Sequence, residues 1–275
     1  MFQDGNKLKG YIQRESKRTK MNTNYGYNYY FTRYFLQQLF NDNPTNFVLK
    51  GSYSQFINLG KIARPLTDID IVTFDNIALA KDIIDATVAD SKETKLSIRN
   101  KFITTNGTTN YKIFCDFDGK TRTISLDLRK AEENEDYLTT DMPIIFSKDE
   151  PFPTQAIPLE QHFADKLYAI LLQLKQNSIS GKEFRRFKDL FDIYNMLESG
   201  KINEKKVAFY LQQNINKDDL LSDYELRGRL FVPTFVDENR QGWEDSKKEY
   251  QFLTDASLIE SLKATRDIVE RTSKK

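Results

Sequence analysis

Phe47-Val48-Leu49-Lys50-Gly51-Ser52, followed downstream by Arg64-Pro65-Leu66-Thr67-Asp68-Ile69-Asp70-Ile71-Val72, is the stretch that decides the architecture of this chain. The apolar run ahead of Gly51 predicts a short buried strand, and Gly51-Ser52 turns it into a helix ending at Gly60. Ser52 with Gln55 three residues on has the capping-box pattern, so the helix is expected over 53–59. A second strand follows at 69–72, entered through Arg64 to Asp68. Side chains alternate along a strand, so Asp68 and Asp70 share one face while Ile69 and Ile71 bury on the other. Paired carboxylates repel unless a cation joins them, and a hard ion, Mg²⁺ or Mn²⁺, takes oxygen ligands. Glycine admits close backbone approach, while first-turn N–H groups and the Ser52 hydroxyl suit a triphosphate oxygen. Phosphate donors beside metal ligands are what metal-assisted nucleotidyl transfer requires.

Such a centre calls for a third carboxylate from a neighbouring strand. From 95 to 129 the apolar period becomes two, and Asn106-Gly107 and Asp118-Gly119 are turn dipeptides. Strands are expected near 96–104, 111–117 and 121–128, as a meander. Asp127 on the last strand faces away from Leu126 and Leu128 and is the choice for the third carboxylate. Asp116 and Asp118 are its rivals, but Asp118 precedes Gly119, where turn geometry alone favours Asp.

Around this core, helices are predicted at 25–40 and 76–89 from apolar spacing near 3.6. Residues 1–24 are polar and basic and read as a solvated N-terminal arm. Pro143, Pro151, Pro153 and Pro158 punctuate a stretch expected to divide a core at 25–150 from a helical domain at 151–275. Helices are expected there at 159–176, 184–198, 203–213, 217–230 and 256–272. The fold class is therefore α+β, a mixed sheet with helices followed by a helical domain.

The chain has 275 residues, with 41 Lys plus Arg against 40 Asp plus Glu, so any nucleic-acid contact must come from a local patch. One cysteine, Cys115, and one histidine, His162, exclude intrachain disulfides, cysteine-based zinc sites and multi-histidine metal centres. Carboxylates must hold any metal. The longest apolar run, Leu167 to Leu172, is too short for a bilayer, and Met1 to Gly5 lack a signal-peptide core. The expected location is the cytoplasm.

The motifs just quoted, Phe47 to Ser52 with Gly60 and Arg64 to Asp70, resemble those of the AbiEii-type nucleotidyltransferase toxins, within the DNA-polymerase-beta-like superfamily. The resemblance continues through Pro158-Leu159-Glu160-Gln161 and Ala164-Asp165-Lys166-Leu167-Tyr168-Ala169, like the family's lysine helix. Arg186-Phe187-Lys188-Asp189-Leu190-Phe191-Asp192 fits its Arg-x-Lys-Asp-x-x-Asp signature. One departure is Tyr53, where many members carry Thr. The resemblance implies an enzyme that transfers a nucleotidyl group from an NTP and releases pyrophosphate. Asp68, Asp70 and Asp127 would bind the metal, with Asp127 as general base; Gly51, Ser52 and Lys166 would hold the nucleotide. Asp189 would aim Lys166 at a phosphate or, alternatively, tie it structurally between two helices. It further implies a toxin of a toxin–antitoxin or phage-defence pair, with RNA, including the tRNA acceptor end, as acceptor and an antitoxin as partner. Two rival readings share the Gly-Ser and Asp-x-Asp motifs: a small-molecule nucleotidyltransferase of the antibiotic-modifying kind, and a non-catalytic binding protein on the same fold.

Overall fold

The computed structural model describes residues 5–91, 96–104, 107–117, 120–132, 135–180, 184–216, 235–249, 253 and 255–272. The turn at Asp118-Gly119 and the helix expected over 217–230 lie outside them. The chain divides into two compact units, Met1–Pro158 and Leu159–Lys275.

The first unit is built on one mixed sheet. Its strands are β1 (Val48–Lys50), β2 (Asp68–Thr73), β3 (Leu96–Ile103), β4 (Thr109–Phe117), β5 (Lys120–Lys130), β6 (Leu138–Asp141) and β7 (Pro153–Ala156), in the order β3-β4-β5-β2-β1-β7-β6. The meander expected after residue 95 forms as antiparallel β3–β4–β5. The decisive pairing is β2 with β5, which is parallel and sets Asp70 opposite Asp127. Strand β1 runs antiparallel to β2, with Lys50 opposite Asp70.

Four helices accompany this sheet: α1 (Gly5–Arg18), α2 (Thr23–Asp42), α3 (Gly51–Leu59) and α4 (Ile77–Asp90). The Asn22 and Asn76 side chains cap α2 and α4 by accepting from the N–H groups of Asn24 and Ala78, each at 2.8 Å. Gly60 ends α3 in the left-handed region (φ 72°), with its N–H on the Phe56 carbonyl at 2.9 Å. The main core joins Phe31, Phe35, Leu36 and Leu39 of α2 to Ile69, Ile71, Tyr111, Ile113, Leu126 and Leu128 of the sheet.

Three expectations are corrected. Residues 5–18 are no solvated arm: α1 buries Leu8, Tyr11 and Ile12 against the core. The unit boundary falls at Pro158, the last residue of the Pro-rich stretch, and not at 150. Glu15 of α1 accepts from the Ser147 N–H and hydroxyl, both at 2.9 Å, and Arg33 of α2 donates to the carbonyls of Pro143 (2.8 Å) and Glu150 (2.6 Å). Strand β7 then pairs parallel with β1 at Leu49 and Ala156, so 151–158 belong to the sheet unit. Finally, Ser52 and Gln55 form no capping box. A positive φ of 58° at Gly51 turns β1 directly into α3, so Lys50 is the cap residue and Ser52 lies within the helix.

The second unit, described by itself, contains α5 (Leu159–Ser180), α6 (Phe187–Glu198), α7 (Glu204–Asn216) and helical segments at Phe235–Glu238, Arg240–Glu249 and Asp255–Thr272. Phe163, Leu167, Ile170, Leu190, Ile193 and Met196 are buried. Trp243 packs on Phe187 with ring centroids 5.3 Å apart.

Candidate functional site

The two faces of β2 separate by chemistry. Ile69 and Ile71 are 1% exposed and sit in the main core, while Asp68 is exposed and Asp70 half-buried. Pairing carries that separation across the sheet, because residues opposite one another project to the same side. One rung reads Lys50, Asp70, Asp127, Asn110; the next reads Asp68, Ser125, Lys112. Adjacent strands lie about 4.8 Å apart, so Asp70 and Asp127 are immediate neighbours. Asp116 pairs with Thr121 and accepts its hydroxyl. It lies six residues along β4 from Asn110, roughly 20 Å from the Asp127 rung.

Small polar groups orient the carboxylates. Asn110 Nδ2 donates to Asp127 Oδ1, and Thr67 Oγ1 donates to Asp68 Oδ2 at 2.9 Å. Lys112 Nζ meets Ser125 Oγ at 2.6 Å. Gly51 stands against Asp70. A Cβ added there would overlap Asp70 Oδ2 and lie 3.0 Å from its Cγ. Glycine at this position therefore answers both the left-handed backbone and the close approach. Ser52 is buried at the start of α3, and Tyr53 packs wholly into the core, which accounts for its place in the motif.

Among the described residues, no three Asp, Glu, His or Cys side chains converge into a ready metal cage. The donor set itself fits a hard divalent cation, since Asp68, Asp70 and Asp127 offer oxygen ligands from adjacent strands on one face.

Three further residues on this side, Lys50, Arg129 and Glu135, were given no role from the sequence. Glu135 forms ion pairs with Lys50 Nζ and Arg129 Nη2, and its own side chain is only 3% exposed. Burial pushes the Glu135 carboxyl up, but the charges and hydrogen bonds of Lys50 and Arg129 outweigh it and hold it below the usual range. Arg129 shares the Asp127 face by alternation, which was readable. Glu135 lies in a connecting segment with no period, so nothing local marked it.

In the second unit, Lys166 of α5 meets Asp189 Oδ1 and Asp192 Oδ2 of α6, each at 2.7 Å. The Asp192 side chain is fully buried, and Arg186 adds a second cation on Asp189 at 3.1 Å. Burial raises the Asp189 carboxyl, yet Lys166 overcomes it and leaves its pKa lowered. The expected Lys166–Asp189 pair thus exists as part of a larger cluster. Asp192, visible in the motif, is the member assigned no role there. His162, one turn before Lys166, is buried.

A family model described as nucleotidyl transferase AbiEii toxin, type IV toxin–antitoxin system, matches residues 34–271. Among solved structures, the chain is similar to JHP933 from Helicobacter pylori, with 15% identity, 87% of this chain and 90% of that chain covered, and a TM-score of 0.51. It is also similar to an antigenic nucleotidyltransferase-like protein from Paracoccidioides brasiliensis, with 13% identity, coverage of 68% and 87%, and a TM-score of 0.41. No curated protein sequence matches the chain.

Proposed function

Because the chain belongs to the AbiEii nucleotidyl transferase toxin family of type IV toxin–antitoxin systems, we propose that it transfers a nucleotidyl group from an NTP to a hydroxyl of RNA, with the tRNA acceptor end as the favoured site. The chain is a nucleotidyltransferase, and its family generally uses an NTP and a divalent metal and works against an antitoxin. The observation that carries the finer reading is the β2–β5 register, which sets Asp127 beside Asp70 on the face that Gly51 abuts.

In this reading Asp68, Asp70 and Asp127 hold Mg²⁺ or Mn²⁺. When bound, the ion lowers the pKa of the acceptor hydroxyl and orients the triphosphate. Gly51 and Ser52 receive the triphosphate at the start of α3, where N–H groups lack helical partners. Asp127 takes the proton of the acceptor hydroxyl as its oxygen bonds to the α-phosphorus. The bond from that phosphorus to the bridging oxygen breaks, and pyrophosphate leaves. Lys166 carries positive charge in the second unit, fixed by Asp189 and Asp192; its two ion pairs favour a tie between α5 and α6 over a phosphate contact. Among the described residues no helix is long and apolar enough to cross a membrane, and we place the protein in the cytoplasm beside its antitoxin.

The test is incubation of the full chain with each labelled NTP, Mg²⁺ and total RNA. Label should pass to RNA with one preferred NTP, and Asp68→Asn plus Asp70→Asn should abolish it without unfolding the protein. Label transfer that survives the double substitution would remove the carboxylate face from the reaction.

A further inference from the structure

Two cations lie on the carboxylate face close to Asp70 and Asp127, and their positions are fixed from one point. Lys50 is opposite Asp70 in the β1–β2 register, and Arg129 follows Asp127 by two residues on β5, about 6.6 Å along the strand. Between them on that face lies Val72, which with Val48 and Ile157 forms a small buried apolar cluster, with Ala131 packed against it. The segment after β5 is anchored to β2 by the Ala131 N–H on the Thr73 carbonyl at 2.8 Å. Glu135, also on that segment, accepts from the Lys50 ammonium and the Arg129 guanidinium, and further from the Glu132 N–H at 2.9 Å. Burying a charge among three hydrogen-bonded groups costs more than covering the same valines with an apolar side chain. What the arrangement supplies instead is two cations at fixed positions, with the more exposed Glu132 carboxylate a further 3.8 Å neighbour of Arg129. Their side chains stay partly open to solvent, Lys50 by 15% and Arg129 by 30%.

A face with three aspartates repels a triphosphate wherever metal does not compensate. Lys166, the cation expected to meet the phosphates, is already balanced by two aspartates. We propose that Lys50 and Arg129 form the phosphate-binding subsite of the carboxylate face, and that Glu135 is a positioning residue that fixes both cations. This rests on the nucleotidyltransfer reading above. Lys50 acts as a point charge, while Arg129 offers a planar fork to non-bridging oxygens.

Calorimetric titration of the full chain with inorganic tripolyphosphate in EDTA, and with the preferred NTP in Mg²⁺, tests it. Lys50→Met and Arg129→Gln should each weaken tripolyphosphate binding on the order of tenfold, the scale of one charge-assisted bond. Lys50→Arg should retain most of the affinity. Glu135→Gln, which leaves both cations but releases them, should raise KM for the NTP several-fold with kcat little changed. Should Glu135→Gln fail to fold, Arg129→Gln, at a partly exposed side chain, carries the same comparison. Wild-type affinity in both Lys50→Met and Arg129→Gln, with label transfer to RNA intact, overturns the subsite alone. Absence of tripolyphosphate and NTP binding by the wild-type chain overturns the subsite and the nucleotidyltransfer reading together.

Discussion

Replacing Gly51 by alanine separates the functional use of this glycine from its structural use. Gly51 and Gly60 both hold positive φ, 58° and 72°, at opposite ends of α3. An L-residue in the left-handed region costs roughly 1–2 kcal/mol, so both substitutions should carry that penalty. For a unit of this size it amounts to a fall in Tm of roughly 2–8 °C. The two sites differ in what a methyl meets. At Gly60 nothing lies within 4 Å, whereas at Gly51 it overlaps Asp70 Oδ2. The obstacle is the far end of a short side chain, so Asp70 rotates and little further stability is lost. Its carboxylate, however, leaves the position beside Asp127. Misplacing a reacting group by about 1 Å can cost on the order of 100-fold in rate. Gly51→Ala should therefore match Gly60→Ala in Tm and fall about 100-fold below it in label transfer from NTP to RNA. Gly51→Ala turnover within a few-fold of Gly60→Ala would refute the argument that the close approach of Gly51 sets the Asp70 carboxylate.

Further expectations concern the other charged groups. Asp127→Ala should lose on the order of 100-fold or more in turnover, as removal of a general base does, while Asp116→Ala stays within a few-fold; reversed sensitivities would contradict the assigned rung. Lys166→Met removes the lysine from the fully buried Asp192 and leaves Asp189 with Arg186 alone, and urea unfolding should show a loss of about 3–5 kcal/mol. Adding Asp189→Leu should leave much of that loss, because the buried Asp192 still lacks its lysine; adding Asp192→Leu as well should restore both Tm and turnover. A stable triple variant without activity would instead give Lys166 a phosphate contact. Asp189 has a lowered pKa, so its stabilising contribution is complete above its unfolded value near 3.8 and is lost as pH falls through the folded value. Asp189→Asn should accordingly flatten the acid limb of the stability curve below that pH, and an unchanged limb would count against the cluster.

The alternation at Asp68-Ile69-Asp70-Ile71 is local, and it determined unaided which side of β2 faces the core. The meander is likewise local, since its period of two reads along each strand, and the helix ending at Gly60 follows from the glycine itself. Motif order along the chain carried the family resemblance, because the order of residues is preserved whatever the side chains later touch. Beyond this the information is not local. That Asp127 belongs with Asp70 depends on the parallel β2–β5 pairing, and no property of either segment names the other as its partner. Polar residues 5–18 form a packed helix only because Leu8, Tyr11 and Ile12 find a surface built from α2 and the loop that follows β6. Asp192 joins Lys166 only once α5 and α6 are packed together. Glu135 was the least legible, sitting outside any periodic element, with two cationic partners delivered by strands β1 and β5. Period and backbone preference are written in adjacent residues, whereas charge partners are selected by long-range packing, and only the tertiary structure decides them.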